Sequence, residues 1–177
     1  MNTRTSLPRL GAAIVLSLVA LTGCTAPTAE TPTSAPAGEV LRIDDAWVKS
    51  ADDGMSAGFG VLVNEGAADV TVTSVTSAAS PMIELHETVE NEAGEMVMRE
   101  IAGGFVVPAG GTLALEPGGN HIMMMDLPEP LKAGDEVAFT VTLSDDSTFE
   151  FAAPVKDYSG ANENYDGADD DHEGMDH

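Results

Sequence analysis

Residues 81–127, PMIELHETVENEAGEMVMREIAGGFVVPAGGTLALEPGGNHIMMMDL, decide the fold of this chain. Apolar and polar residues alternate in short segments here, and glycine-, proline- and asparagine-rich turns separate the segments. Alternation with a period of two is typical of half-buried β-strands. It predicts strands at 82–87, 95–101, 112–115 and 121–126.

The same pattern continues on both sides of this stretch. It predicts further strands at 40–49, 57–64, 69–77, 136–143 and 148–154. No segment with helical periodicity lies between them. Regularly spaced short strands predict a single all-β domain, an antiparallel β-sandwich or barrel.

Soft metal donors are concentrated in residues 81–127. This stretch contains two of the four histidines and six of the nine methionines. Side chains two positions apart on a strand share a face, which groups the donors as Met82 with His86, Met96 with Met98, and His121 with Met123 and Met125. Imidazole and thioether together suit copper, above all Cu(I). The alternative is that the methionines fill the core, as methionine often does, and we predict this role for Met124.

The spacing of these donors resembles the PCuAC family of periplasmic copper chaperones, whose motif is H(M)x10Mx21HxM. His86 and Met98 match its first half, and His121 with Met123 matches its second half. The interval from Met98 to His121 is one residue longer than the motif, and Glu87 occupies the optional methionine position. Segments 45–47, 63–66, 107–112 and 117–121 are also similar to the family, so the resemblance covers residues 40–154.

The resemblance implies a cupredoxin-like sandwich that binds Cu(I) through His86, Met98, His121 and Met123, with Met96 as the alternative to Met98. It also implies delivery of copper to the dinuclear CuA centre in a subunit of cytochrome c oxidase, alongside a thioredoxin-like assembly factor. We expect the ion to lie close to the domain surface, where ligands can exchange stepwise. No Ser/His/Asp or Cys/His set is visible, and we predict a carrier and not an enzyme.

The N-terminal residues predict export and lipid attachment. A basic start and an apolar run at 10–21, too short to span a bilayer, are typical of a signal peptide. Residues 21–24 resemble a bacterial lipobox that ends at Cys24, the only cysteine. We predict a signal peptide at 1–23, a lipid on Cys24, and a flexible tether at 24–38. The tether would hold the domain, residues 39–155, at the extracytoplasmic face of a bacterial membrane, in the periplasm or at the cell surface.

Cysteine usage narrows the function further. With its single cysteine in the export signal, the domain lacks the thiolate of a blue-copper electron-transfer site and cannot form an internal disulfide. A redox enzyme is therefore disfavoured.

Residues 156–177 are acidic and predict a disordered tail. The tail contains His172, Met175 and His177, which either form a secondary site for Cu(II) or belong to a plain solubilising segment. The net charge of −23 becomes −25 without the two arginines of the signal peptide. This charge excludes nucleic acid as a partner, because binding nucleic acid requires basic residues.

Two alternatives to a chaperone remain open. One is a lipoprotein that sequesters copper and confers resistance. The other is a metal-free β-sandwich for surface interactions, which predicts either that His86 and His121 lie far apart or that their mutation leaves the metal affinity unchanged.

Overall fold

The computed structural model describes residues 35–160 and the backbone of a short strand at 164–165. It is almost entirely β, as the sequence predicts. The elements are α1 (Ala37–Val40), β1 (Leu41–Lys49), β2 (Ser56–Asn64), β3 (Val70–Thr76), β4 (Met82–Glu90), β5 (Met96–Glu100), β6 (Phe105–Val107), β7 (Thr112–Leu115), β8 (His121–Met125), β9 (Glu136–Leu143), β10 (Thr148–Lys156) and β11 (Asn164–Tyr165).

The strands pair in the order β11-β5-β4-β8-β2-β1-β10-β9-β3-β6, and β7 pairs with β2. Most neighbours are antiparallel, but β1 pairs with β10 and β11 pairs with β5 in parallel. Side chains of β4, β8 and β2 share one buried cluster with side chains of β9 and β3, so the sheet folds into two packed layers. The prediction of a cupredoxin-like β-sandwich is confirmed.

A hydrophobic core lies between these two sets of strands. On β9 the buried positions alternate strictly, as Val137, Phe139, Val141 and Leu143. From the other half, Leu85, Ile122 and Met124 join the same core. Each fully buried side chain of this size contributes about 1.5–3 kcal/mol. Met124 is completely buried, which confirms its predicted core role.

Several predicted strand ends agree with the structure, and three differences have physical causes. The strand β10 continues past Pro154 because Val155 and Lys156 pair with a new neighbour, β1. The helix α1 and the strand β6 are too short to show periodicity. The strand β6 also follows Gly103-Gly104, which resembles a turn. A Cβ on Gly104, whose φ is +74°, would lie 2.0 Å from the Val72 carbonyl oxygen, so glycine permits β6 to approach β3.

The helix α1 is tied to the turn between β9 and β10. The backbone N–H of Ala37 donates a hydrogen bond to Asp145 Oδ2 at 2.8 Å. This bond, with a further one from Ser147, holds the pKa of the Asp145 carboxyl below its ordinary value of 3.8.

The first residues of the predicted tail contact the domain. Lys156 belongs to β10, and Ser50 Oγ donates to Asp157 Oδ1 at 2.9 Å. The Tyr158 ring packs edge-on against Trp47, with ring centroids 5.3 Å apart.

The predicted signal peptide, Cys24, most of the tether and the tail residues His172, Met175 and His177 lie outside the described residues. In the part of the chain that is described, no helix is long and apolar enough to cross a membrane.

Candidate metal centre

The two histidines of the domain face each other across adjacent strands. The strands β4 and β8 are antiparallel, and their register places His86 directly opposite His121. Their ring centroids are 5.6 Å apart. One metal ion bound to a nitrogen of each ring, at about 2 Å, is compatible with this separation. The first of the two signatures of the metal-free alternative, a large separation of these histidines, is therefore not observed.

The two methionines of the motif lie beside the histidines. Met98 on β5 pairs with Thr88, two residues from His86 on the same face of β4. Met123 on β8 pairs with Glu84, two residues to the other side of His86. Met98 and Met123 are buried in one cluster with Met125. The order β5-β4-β8 thus brings all four donors of the motif onto one face of the sheet.

The structure distinguishes Met98 from its alternative. Met96 shares the face of Met98 but pairs with Glu90 next to the turn that joins β4 to β5. Its side chain is 46% exposed, whereas that of Met98 is 7% exposed and contacts the buried cluster.

Each histidine has one ring nitrogen held by a hydrogen bond. His121 Nδ1 donates to the Gly119 carbonyl oxygen at 3.0 Å, and His86 Nε2 donates to Glu84 Oε2 at 2.8 Å. A carbonyl oxygen can only accept, and a carboxylate that accepts from His86 Nε2 likewise places the proton on that nitrogen. The opposite nitrogens, His121 Nε2 and His86 Nδ1, are buried, and in a neutral ring with this tautomer they carry the lone pairs. Metal-binding histidines almost always donate their other N–H in this way.

The turn that orients His121 depends on glycine. Gly118 has a φ of +79°, a conformation that glycine adopts at little cost. The next carbonyl, that of Gly119, accepts from both His121 Nδ1 and the Thr88 backbone N–H. The turn before β8 is therefore hydrogen-bonded to β4 close to the two histidines.

The four donors lie beneath the surface and not on it, which differs from our expectation. The exposed fractions are 0% for His86, 3% for His121, 7% for Met98 and 3% for Met123. A cavity of about 200 Å³ is lined by three of them, Met98, His121 and Met123, and by Thr88.

Two residues that the sequence analysis passed over also line this cavity. Met55, in the turn before β2, is 49% exposed. Lys49 lines it too, and its Nζ donates to the Gly160 carbonyl oxygen at 2.6 Å. These residues are far from the motif in sequence, and no local pattern places them there. Glu84 could have been noticed, because it precedes His86 by two residues on one strand face.

A row of aromatic rings leads away from the site. The Phe59 ring lies 6.3 Å from that of His121, and the Trp47 ring lies 4.6 Å from that of Phe59, between ring centroids. Trp47 is the only tryptophan in the chain. Its fluorescence is therefore a natural reporter of changes at His121.

No group of three or more His, Cys, Asp or Glu side chains suited to a metal occurs within residues 35–160. The mixed His/Met set is thus the candidate metal centre of the described domain, and its donors are soft.

Solved structures share this architecture. The copper-bound PCuAC domain from PmoF2 matches with a TM-score of 0.56 and 16% identity, over 71% of this chain and 98% of that domain. The solution structure of the Cu(I) form of DR1885 from Deinococcus radiodurans matches with a TM-score of 0.53 and 26% identity, over 69% of this chain and 83% of that one. The fold and the site together define a PCuAC-type domain, and the resemblance seen in the sequence is confirmed.

Sequence comparison gives the particular family. The model of a family described as "Putative lipoprotein LpqE-like" matches residues 41–155. The putative lipoprotein Lxx21020 of Leifsonia xyli subsp. xyli is 44% identical over 165 residues, which cover 92% of this chain and 98% of that protein. The chain belongs to the LpqE-like family.

Proposed function

We propose that this protein is an extracytoplasmic copper chaperone that binds one Cu(I) ion through His86, Met98, His121 and Met123. The observation that carries the proposal is the register of β5, β4 and β8, which places these donors together on one buried face. Two neutral imidazoles and two neutral thioethers form the soft-to-borderline set that suits Cu(I). Two structural relatives, the PmoF2 domain and DR1885, are named as copper-bound.

The same ligands suit release as well as binding. Thioethers are neutral, so a ligand exchange that removes a methionine leaves no buried charge behind. The cavity offers a route for this exchange, and exposed Met55 in its lining places a further thioether where a departing ion meets solvent. We propose that copper enters and leaves there.

We further propose that a lipid on Cys24 anchors the protein to the membrane and that the tether at 24–38 lets the domain reach membrane-bound acceptors. The fourteen residues of this tether that follow Cys24, when fully extended, reach at most about 50 Å. The proposed acceptor is the CuA-bearing subunit of cytochrome c oxidase, with a thioredoxin-like assembly factor as a second partner. No catalytic step is required of this chain.

Copper sequestration is the second candidate. The feature that favours it is the tail, where His172, Met175 and His177 lie among acidic residues. Storage would gain from an additional site for Cu(II) in the tail, whereas delivery requires only the site in the domain.

A Cu(I) competition titration against a chromogenic chelator tests the binding proposal. The sample is the chain from residue 24 with Cys24→Ser, which removes the lipid, and with His172→Ala and His177→Ala, which remove the tail imidazoles. One tightly bound Cu(I) is expected, and the additional variant His121→Ala should bind far more weakly. If the chelator removes all copper from the parent protein, the proposed site is wrong.

A transfer assay separates delivery from storage. The copper-loaded protein, with its tail intact, is mixed with the soluble CuA domain of a cytochrome c oxidase subunit, and the spectrum of that domain is followed. Transfer on mixing supports a chaperone. Retention of copper by the loaded protein supports sequestration.

A further inference from the structure

The Glu84 side chain contacts a histidine of the candidate centre through a short hydrogen bond. Its Oε2 accepts a hydrogen bond of 2.8 Å from His86 Nε2. His86 has no exposed surface, and the Glu84 side chain is only 24% exposed. The two residues are two positions apart on β4, so both project from the same face. The spacing of the two residues along β4 therefore places their side chains next to each other.

We propose that Glu84 is the positioning residue of the copper site: it holds the proton on His86 Nε2 and directs the Nδ1 lone pair to the ion. This inference rests on the proposed Cu(I) site. A neutral imidazole can carry its proton on either nitrogen, and only the nitrogen without it can bind a metal. Because the carboxylate accepts from Nε2, it selects the tautomer that binds through Nδ1.

The carboxylate also acts through its charge. A carboxylate hydrogen-bonded to a ligating histidine raises the donor strength of the ring. In addition, one negative charge beside a Cu(I) ion bound only by neutral ligands balances the single positive charge of that ion. The interior of a protein screens charges weakly, so this balance contributes to affinity.

Glu87, which follows His86 on β4, is an ordinary surface carboxylate of the same strand. Glu87 lies on the opposite face of β4, pairs with Arg99 Nη2 at 2.8 Å, and has a side chain that is 32% exposed. Its partner, Arg99, is 58% exposed. Glu84 instead contacts a completely buried imidazole. Glu87 therefore provides a matched control in the same strand.

The test compares Glu84→Ala, Glu84→Gln and Glu87→Gln in the full chain from residue 24 with Cys24→Ser. Two quantities are measured: the tautomer of His86 in the copper-free protein, by long-range ¹H–¹⁵N NMR, and the Cu(I) affinity, by chelator competition. Loss of a partner of this kind typically costs 10–100-fold in metal affinity, and we expect a loss of about this size for Glu84→Ala. Glutamine keeps an acceptor but not the charge, so Glu84→Gln should lose less.

The NMR measurement separates positioning from a general structural role. The parent protein and Glu87→Gln should show His86 with its proton on Nε2, whereas Glu84→Ala should show a mixture of tautomers. The proposal is overturned if Glu84→Ala keeps the Nε2–H tautomer or binds Cu(I) as tightly as the parent. Should the parent itself bind no Cu(I), the proposed function fails, and that result is distinguishable because the parent alone reveals it. If Glu84→Ala does not fold, Glu84→Leu, which also lacks an acceptor but keeps more of the side-chain volume, carries the same two tests.

Discussion

Met123→Leu should remove the stabilisation that copper gives the domain while leaving the copper-free domain folded. Met123 is 3% exposed and packs with Met98 and Met125. Leucine is similar in volume and equally apolar, and such exchanges in a core usually cost less than about 1.5 kcal/mol. What leucine lacks is the sulfur atom. The substitution therefore removes a proposed ligand without opening a large cavity.

The expected change in melting temperature follows from linkage between binding and folding. Copper at a free concentration of 100 times its Kd adds about 2.7 kcal/mol to the free energy of unfolding. For a domain of this size, that corresponds to a rise in Tm of about 10 °C. If loss of the Met123 thioether raises Kd about 100-fold, the same copper concentration adds only about 0.4 kcal/mol. The rise in Tm then falls to about 2 °C.

The assay is thermal unfolding followed by circular dichroism, under anaerobic reducing conditions, with and without Cu(I). The matched control is Met124→Leu. Met124 is the next residue of β8, is completely buried, and projects into the hydrophobic core on the opposite face. It should lose comparable stability without copper but keep the full copper-dependent rise in Tm. Ligation by Met123 would be refuted if Met123→Leu kept the full copper-dependent rise in Tm. It would also be refuted if both variants lost the same part of that rise.

Two further predictions concern stability and transfer. Asn64→Ala should lower the free energy of unfolding by about 1–3 kcal/mol, because the buried Asn64 Nδ2 donates to the carbonyls of Ala68 and Val107; urea denaturation measures this, and an unchanged midpoint would contradict it. Met55→Leu should leave the Cu(I) affinity unchanged but slow transfer to a chelator several-fold in stopped-flow mixing. Met82 is about as exposed as Met55 but lies outside the cavity lining, so Met82→Leu should change neither the affinity nor the transfer rate. Equal transfer rates in the parent protein and both variants would contradict a role for Met55.

The sequence was sufficient to predict which donors share a face, because that depends only on alternation along each strand. His121 and Met123 project together from β8 for this reason alone. The sequence could not show which strands are neighbours. That β4 lies between β5 and β8 is a long-range pairing, and it is this order that brings Met98 to the histidines. The family resemblance supplied the connection that strand periodicity could not.

Burial of the site was harder to foresee than its composition. The cavity walls come from segments far apart in the chain, among them Lys49 and Phe59 before the motif and Pro117 within it. Only the packed sheet brings them over the donors. The choice between Met96 and Met98 was open for the same reason, since both have the same periodicity and differ only in what covers them.

Burial also determines the order in which the proposed ligands can exchange. Met98, His121 and Met123 line the cavity, whereas His86 has no exposed surface. An acceptor entering through the cavity therefore meets the thioethers and His121 before it can displace His86. Glu84 fixes His86 at the inner end of this path, and Met55 lies in the exposed lining at the outer end. Retention and release of copper would thus depend on different residues: an anchored imidazole inside, and weak neutral thioethers towards the opening.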